Sequence, residues 1–201
     1  MATDRDLGRG LSESVRDSQA IFRAVMDAMA RPGTRRPLPT PVDPPAGLTQ
    51  SLAAIALALA DFETPIWLDI DLAEQADVVR YLRFFSGAPL TADPSAAAIA
   101  LVSNPTTMPT LESFAQGTLE YPDRSTTVVV MVEAMTGGDA LVLRGPGIKT
   151  ETSFAPRPQP PQLVEQLALN RTQFPRGVDL IFVSPSEVAA LPRSLHVSTG
   201  A

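Results

Sequence analysis

The chain has 201 residues, 44% of them hydrophobic, a net charge of −6 and no cysteine. That length buries a substantial core without staples, and the missing cysteine excludes disulfides, thiolate metal sites and thiol nucleophiles. The acidic balance argues against binding a nucleic-acid backbone, which needs a basic face, so no nucleic-acid partner is expected.

Met1 to Glu13 alternates Asp and Arg and lacks the apolar core of a signal peptide. No apolar run reaches about 18 residues, so a soluble, cytoplasmic protein with no membrane partner is expected. One domain over 1–201 is expected, with 1–12 as a flexible N-terminal segment. Ser14 to Met29 carries Val15, Phe22, Val25, Met26 and Met29 on one stripe at helical spacing, closed by Arg31-Pro32-Gly33. Five prolines from Pro37 to Pro45 make Thr34 to Gly47 an extended crossing segment. Leu48 to Ala60 reads as a largely buried Ala/Leu helix, broken by Asp61 to Pro65 before a short strand, Ile66 to Ile70.

Asp71 is placed to cap the next helix, which runs to about Phe85 through Leu72, Ala76, Val79 and Leu82 and closes at Gly87-Ala88-Pro89. Ala97 to Val102 reads as a strand, and Leu111 to Gln116 as a short helix stopped by Gly117. Thr126 to Met135 and Ala140 to Leu143 flank Thr136-Gly137-Gly138-Asp139, the sequence's clearest hairpin signal. Beyond the proline-rich loop Pro156 to Pro161 come a helix over Gln162 to Asn170 and strands at Val178 to Val183 and Val188 to Leu191. Helices alternating with strands around one hairpin predict an α/β sandwich with a mixed sheet.

Fifteen of the sixteen basic residues are arginine, and four lie in Pro/Gly turns: Arg31, Arg144, Arg176 and Arg193. A guanidinium on a stiff turn suits bidentate pairing with phosphate or carboxylate, and it equally suits a helix C-terminus or a protein interface. Asp179 is the carboxylate expected to orient one of them. Gly145-Pro146-Gly147-Ile148-Lys149-Thr150 fails as a Walker loop because Ile148 separates Gly147 from the lysine; it fails as a dinucleotide fingerprint because Thr150 takes the third glycine position. Lys149, the only lysine, reads as a surface residue, and His196, the only histidine, as a terminal surface or packing residue or a general base. Asp61, Glu63, Asp69 and Asp71 offer oxygen ligands to a divalent cation, but carboxylates so placed more often cap helices, so no metal is expected.

Six segments carry a resemblance. They are Phe22-Arg23 with Met29 to Gly33, Leu59 to Leu68, Leu82 to Leu90, Leu143 to Ile148, Phe174 to Ile181 and Leu191 to Val197. In this order, over nearly the whole chain, they resemble the PhnH family, a component of the bacterial carbon–phosphorus lyase system for phosphonate use. One departure is Phe85, where relatives carry histidine after the arginine–phenylalanine pair; a role resting on that imidazole is absent here. The resemblance implies a three-layer α/β/α sandwich similar to pyridoxal-phosphate transferases but without the cofactor or its lysine. It also implies a homodimer that joins the G, I and J subunits of the carbon–phosphorus lyase complex. With a nucleotide-binding subunit, that machinery replaces the adenine of ATP with a phosphonate, giving ribose 1-phosphonate 5-triphosphate. Nucleosidase-type catalysis is assigned to the I subunit, so no catalytic residue is carried over.

Two uses of the turn arginines, together with Asp179 and His196, stay open. One is to hold an assembly together; the other is to contact phosphonate or nucleotide phosphate directly, as an enzyme or sensor. A third possibility, cation-dependent hydrolysis through Asp61 and Glu63, belongs to another class.

Overall fold

Four short apolar runs occupy the centre of a seven-stranded sheet because their residues are apolar at successive positions and can be buried on both faces. The computed structural model describes residues 7–200. In chain order the strands and helices are α1 (Ser14–Ala30), β1 (Arg36–Pro37), α2 (Gln50–Leu59), β2 (Ile66–Leu68), α3 (Ile70–Ala73), α4 (Ala76–Ser86), β3 (Leu90–Thr91), β4 (Ile99–Val102) and β5 (Thr127–Met131). They continue with β6 (Leu141–Arg144), β7 (Thr152–Phe154), α5 (Leu163–Thr172), β8 (Asp179–Val183), β9 (Glu187–Leu191) and β10 (His196–Thr199).

The large sheet has the order β1-β9-β8-β5-β4-β2-β3 and is mixed: β3, β2, β4, β5 and β8 run parallel, and β9 is antiparallel to both β8 and β1. Alternation along each strand sends residues to opposite faces. Ile99, Leu101, Val129, Ile181, Val183, Val188 and Ala190 pack with α1, α2 and α4. Ala100, Val102, Val128, Val130, Leu180, Phe182, Ala189 and Leu191 pack on the other side, under Phe114, α5 and a three-stranded antiparallel sheet, β10-β6-β7. That second outer layer is therefore built from strands as well as a helix.

Local chemistry sets the helix ends. Ile21, Val25 and Ala28 recur at three- and four-residue steps and bury one side of α1. The Thr49 hydroxyl accepts from Leu52 N at 3.4 Å and starts α2, in which every residue from Ser51 to Ala56 is buried. Gly87, with φ 71°, takes the left-handed position that closes α4.

Several expectations are corrected. The residues from Thr126 to Leu143 do not form a hairpin. Both edges of β5 are taken by the parallel neighbours β4 and β8, so β6 has no free edge to join and pairs with β7 and β10 instead. The glycine pair serves close approach: a Cβ on Gly138 would sit 2.0 Å from the Pro156 carbonyl oxygen. The cap expected from Asp71 comes from Asp69, whose carboxylate accepts from Leu72 N at 3.1 Å; Ile70 thus opens a helix rather than ending the strand. The predicted single helix to Phe85 is two, α3 and α4, divided at Glu74-Gln75. The expected helix near Leu111 is one 3-10 turn, Leu111–Ser113.

Residues 1–6 of the expected N-terminal segment lie outside the described residues. From Leu7 onward the chain is held: Arg9 pairs with Asp43 through both backbone groups, and Ser12 Oγ donates to Pro41 O at 3.1 Å.

Candidate functional site

The four arginine turns lie along one rim of the molecule. Gly177 and Asp179 open β8, while Leu191 ends the antiparallel β9 opposite Leu180, so Arg176 and Arg193 flank the amino ends of the parallel strands. Gly33 N donates to Ala190 O at 3.1 Å and brings the Arg31 turn to the same rim. The turn after Arg144 closes against both neighbours: a Cβ on Gly147 would meet Ala30 O at 2.3 Å, and one on Gly145 would meet Leu195 Cδ2 at 3.1 Å. Glycine is required in this turn also because Gly147 has φ 83°.

Nearness of the turns does not bring the guanidinium groups onto one target. Arg31 is ion-paired to Asp27 one helical turn back, where a cation also complements the carbonyl end of α1. Arg36 Nε lies 2.5 Å from the same carboxylate, an ion contact without hydrogen-bond alignment. Arg144 Nη2 donates to Glu151 Oε2 at 2.6 Å across the β6–β7 connection. Arg193 and Asp179 are brought together and largely buried, with side chains 15% and 14% exposed. Arg176 has no carboxylate within ion-pair range among the described residues, and its Nε is buried without a hydrogen-bond partner.

In open α/β sheets ligands bind outside the carboxyl ends of the strands, where connections leave in opposite directions. Here that place lies between β2, whose chain continues outward to β3, and β4, whose chain continues inward to β5. Asp69 fills it. Its carboxylate, 3% exposed as a residue, accepts from Ser103 N at 2.7 Å, Ser103 Oγ at 2.9 Å and Asn104 N at 3.0 Å in addition to capping α3. The donors of Leu72, Ser103 and Asn104 that meet in the crevice are thus taken up by this one carboxylate.

The remaining acidic candidates are scattered. Asp61 is exposed and closes its own turn, accepting from Thr64 Oγ and Glu63 N; the Thr64 hydroxyl first, then the Glu63 amide, hold its carboxyl below the usual range. Asp71 accepts from Asn104 Nδ2 at 3.4 Å. No group of three or more His, Cys, Asp or Glu side chains is gathered in metal-binding range among the described residues. Lys149 is exposed in the turn between β6 and β7.

His196 is exposed at the start of β10, directly opposite Arg144 in the register. It lines a cleft with Arg171 of α5, a residue no turn motif singles out. The signal that could have found Arg171 is its spacing to Phe174, whose ring lies 4.9 Å from the guanidinium carbon.

Comparison with known proteins finds similarity along most of the chain. A family described as bacterial phosphonate metabolism protein (PhnH) matches residues 9–198. The chain is 40% identical over 183 residues, 91% of each chain, to the alpha-D-ribose 1-methylphosphonate 5-triphosphate synthase subunit PhnH of Rhizobium meliloti strain 1021. It is 42% identical over 82 residues, 41% of this chain and 42% of the relative, to the putative C-P lyase subunit protein HtxG of Stutzerimonas stutzeri.

Proposed function

Because the chain belongs to the PhnH family of bacterial phosphonate metabolism proteins, we propose that it is a subunit of the carbon–phosphorus lyase complex that acts mainly by assembly. In that role it supports formation of ribose 1-phosphonate 5-triphosphate from ATP and an alkylphosphonate. Its partners are a second copy of itself and the G, I and J subunits of the complex, in the cytoplasm, and the isolated chain is not the catalyst. The whole chain acts as one domain with a sandwich related to pyridoxal-phosphate transferases, the exposed Lys149 having no cofactor to hold.

The observation that carries this reading is the 40% identity along 91% of both chains to a named synthase subunit. Three of the four turn arginines being held by Asp27, Glu151 and Asp179 supports it, since guanidinium groups already paired stiffen a rim more readily than they open a pocket. Exposed Val15, Phe22 and Met26, spaced seven and four residues apart on α1, give an apolar stripe for a neighbouring protein of the complex.

The test is genetic and biochemical together. A strain lacking this chain is expected to lose growth on methylphosphonate as sole phosphorus source, and the tagged chain to co-purify with the G, I and J subunits. Growth without it, or a tagged chain that emerges alone, sinks the assembly reading.

A further inference from the structure

We propose that the cleft between the C-terminal turn of α5 and the strand β10 binds one small tetrahedral phosphorus oxyanion, phosphate or phosphonate, with Arg171 and His196 as its donors. The cleft has a volume of about 320 Å³ and is lined by Ala168, Arg171, Thr172, His196 and Val197. None of these is acidic, in a protein whose net charge is −6. A local positive field on an acidic surface has to be built from particular side chains, and here Arg171 supplies the charge while His196 lines the same cleft.

Arg171 is already positioned. Its guanidinium carbon lies 4.9 Å from the Phe174 ring centroid, its Nε is buried without a hydrogen-bond partner, and no carboxylate lies within ion-pair range of it among the described residues. This contrasts with Arg31, Arg144 and Arg193, each paired to a carboxylate. A stacked guanidinium loses little freedom when it takes up an anion. His196 sits on the same face of the small sheet as Arg144, its direct partner across the strands, and an imidazole supplies an N–H donor in either protonation state.

The volume argues for a compact ligand, since small-molecule sites begin at about 300 Å³ and a nucleoside triphosphate needs more. The carbonyl end of α5 opposes an anion, and the Arg171 charge must outweigh it. The site is separate from the assembly reading: a chain that assembles without binding oxyanions, or binds them without assembling, is a distinguishable result.

As His196 is the only histidine, its imidazole Cε1–H gives a single NMR signal from the full chain. Titration with inorganic phosphate and, separately, methylphosphonate at constant ionic strength is expected to move that signal saturably. Arg171→Gln is expected to weaken binding by at least about tenfold, the loss of one charge-assisted fork, while Arg23→Gln on the exposed side of α1 leaves it unchanged. His196→Gln, followed by calorimetry, should weaken it less. The ligand that saturates at lower concentration identifies phosphate or phosphonate as the preferred occupant. An unsaturable response, equal affinity in the Arg171→Gln chain, or acetate binding as well as either phosphorus oxyanion overturns the proposal, the last by pointing to a carboxylate from a protein partner.

Discussion

Arg193 folds back onto Asp179 across the β8–β9 pair. Its backbone N–H donates to Asp179 Oδ1 at 2.8 Å, its Nε lies 3.2 Å from both carboxylate oxygens and its Nη2 donates to Oδ2 at 2.5 Å. The free corner of the guanidinium donates through Nη1 to Pro122 O at 2.6 Å. One side chain thus ties the turn after β9, the start of β8 and the segment leading into β5.

Breaking that pair from one side leaves a buried charge without compensation. Asp179→Ala is expected to destabilise the fold by about 3–5 kcal/mol, read as a lower midpoint in urea denaturation at unchanged slope. Replacing both partners with apolar residues of similar volume is expected to cost clearly less than the two single changes added together, because no orphaned charge then remains. Additive losses would mean that the pair is not coupled.

Much of this frame was legible from sequence, in proportion to how local its causes are. The stripe of Val15, Phe22, Val25, Met26 and Met29 announces α1 as a helix but misplaces its inner face, because the side buried is Ile21, Val25 and Ala28 while Val15, Phe22 and Met26 stay exposed. The apolar runs ending at Val102, beginning at Thr126 and spanning Val178 to Val183 announce central strands. The glycine pair at 137–138 misled because a hairpin also needs a free strand edge, and that depends on β4 and β8 arriving from far away in the chain. The edge strands β1, β3 and β7 are two or three residues long and carry no periodicity to detect. Asp69 and Asp71 are equally good caps on paper. Asp69 caps because Ser103 and Asn104 donate to it from another loop. The arginine turns were visible, but which carboxylate each would meet was not, since Asp27, Glu151 and Asp179 are chosen by tertiary packing.

The Asp69 staple gives a second prediction. Removing its carboxylate loses the α3 cap, ordinarily about 1 kcal/mol, and orphans the Ser103 and Asn104 amides, each costing about 1–3 kcal/mol. Asp69→Ala should therefore destabilise by roughly 3 kcal/mol or more, and Asp69→Asn by less, since one amide oxygen still accepts. Hydrogen exchange at Ser103 and Asn104 is expected to accelerate ahead of the sheet amides. Unchanged exchange there would show that other groups meet these donors.

Tyr81 supplies a pH dependence. Its hydroxyl donates to Arg9 O at 2.8 Å, and burial, reinforced by the Asp43 charge, pushes the phenol from 10.0 up to about 12. The raised value means that the folded chain keeps its proton while the unfolded chain ionises. The stabilisation is complete below about pH 10 and is lost as the pH rises through about 12, a fall on the order of 2 kcal/mol. Tyr81→Phe should remove this alkaline decline at the cost of about 1 kcal/mol at neutral pH for the lost hydrogen bond. Denaturation midpoints of both chains between pH 8 and pH 12 check it. Parallel declines would assign the alkaline loss to other groups.

Phe85 and Gly10 provide the last prediction. The Phe85 ring packs on Tyr81 with centroids 4.8 Å apart and edge-on to Phe84 at 5.0 Å, with Gly10 beside it. A Cβ on Gly10 would fall 2.5 Å from Phe85 Cδ1, closer than real contacts allow, so the phenyl ring and the glycine fit as a pair. Gly10→Ala should cost about 1–3 kcal/mol in this chain, the usual penalty for overpacking. In a Phe85→Ala background the ring atoms that this methyl would strike are gone, and its cost should fall below about 0.5 kcal/mol. Thermal midpoints of the four chains in this cycle measure the coupling. An equal cost for Gly10→Ala in both backgrounds would show that the ring does not set the limit, and the demand for glycine would then lie in the backbone pairing of Arg9 with Asp43.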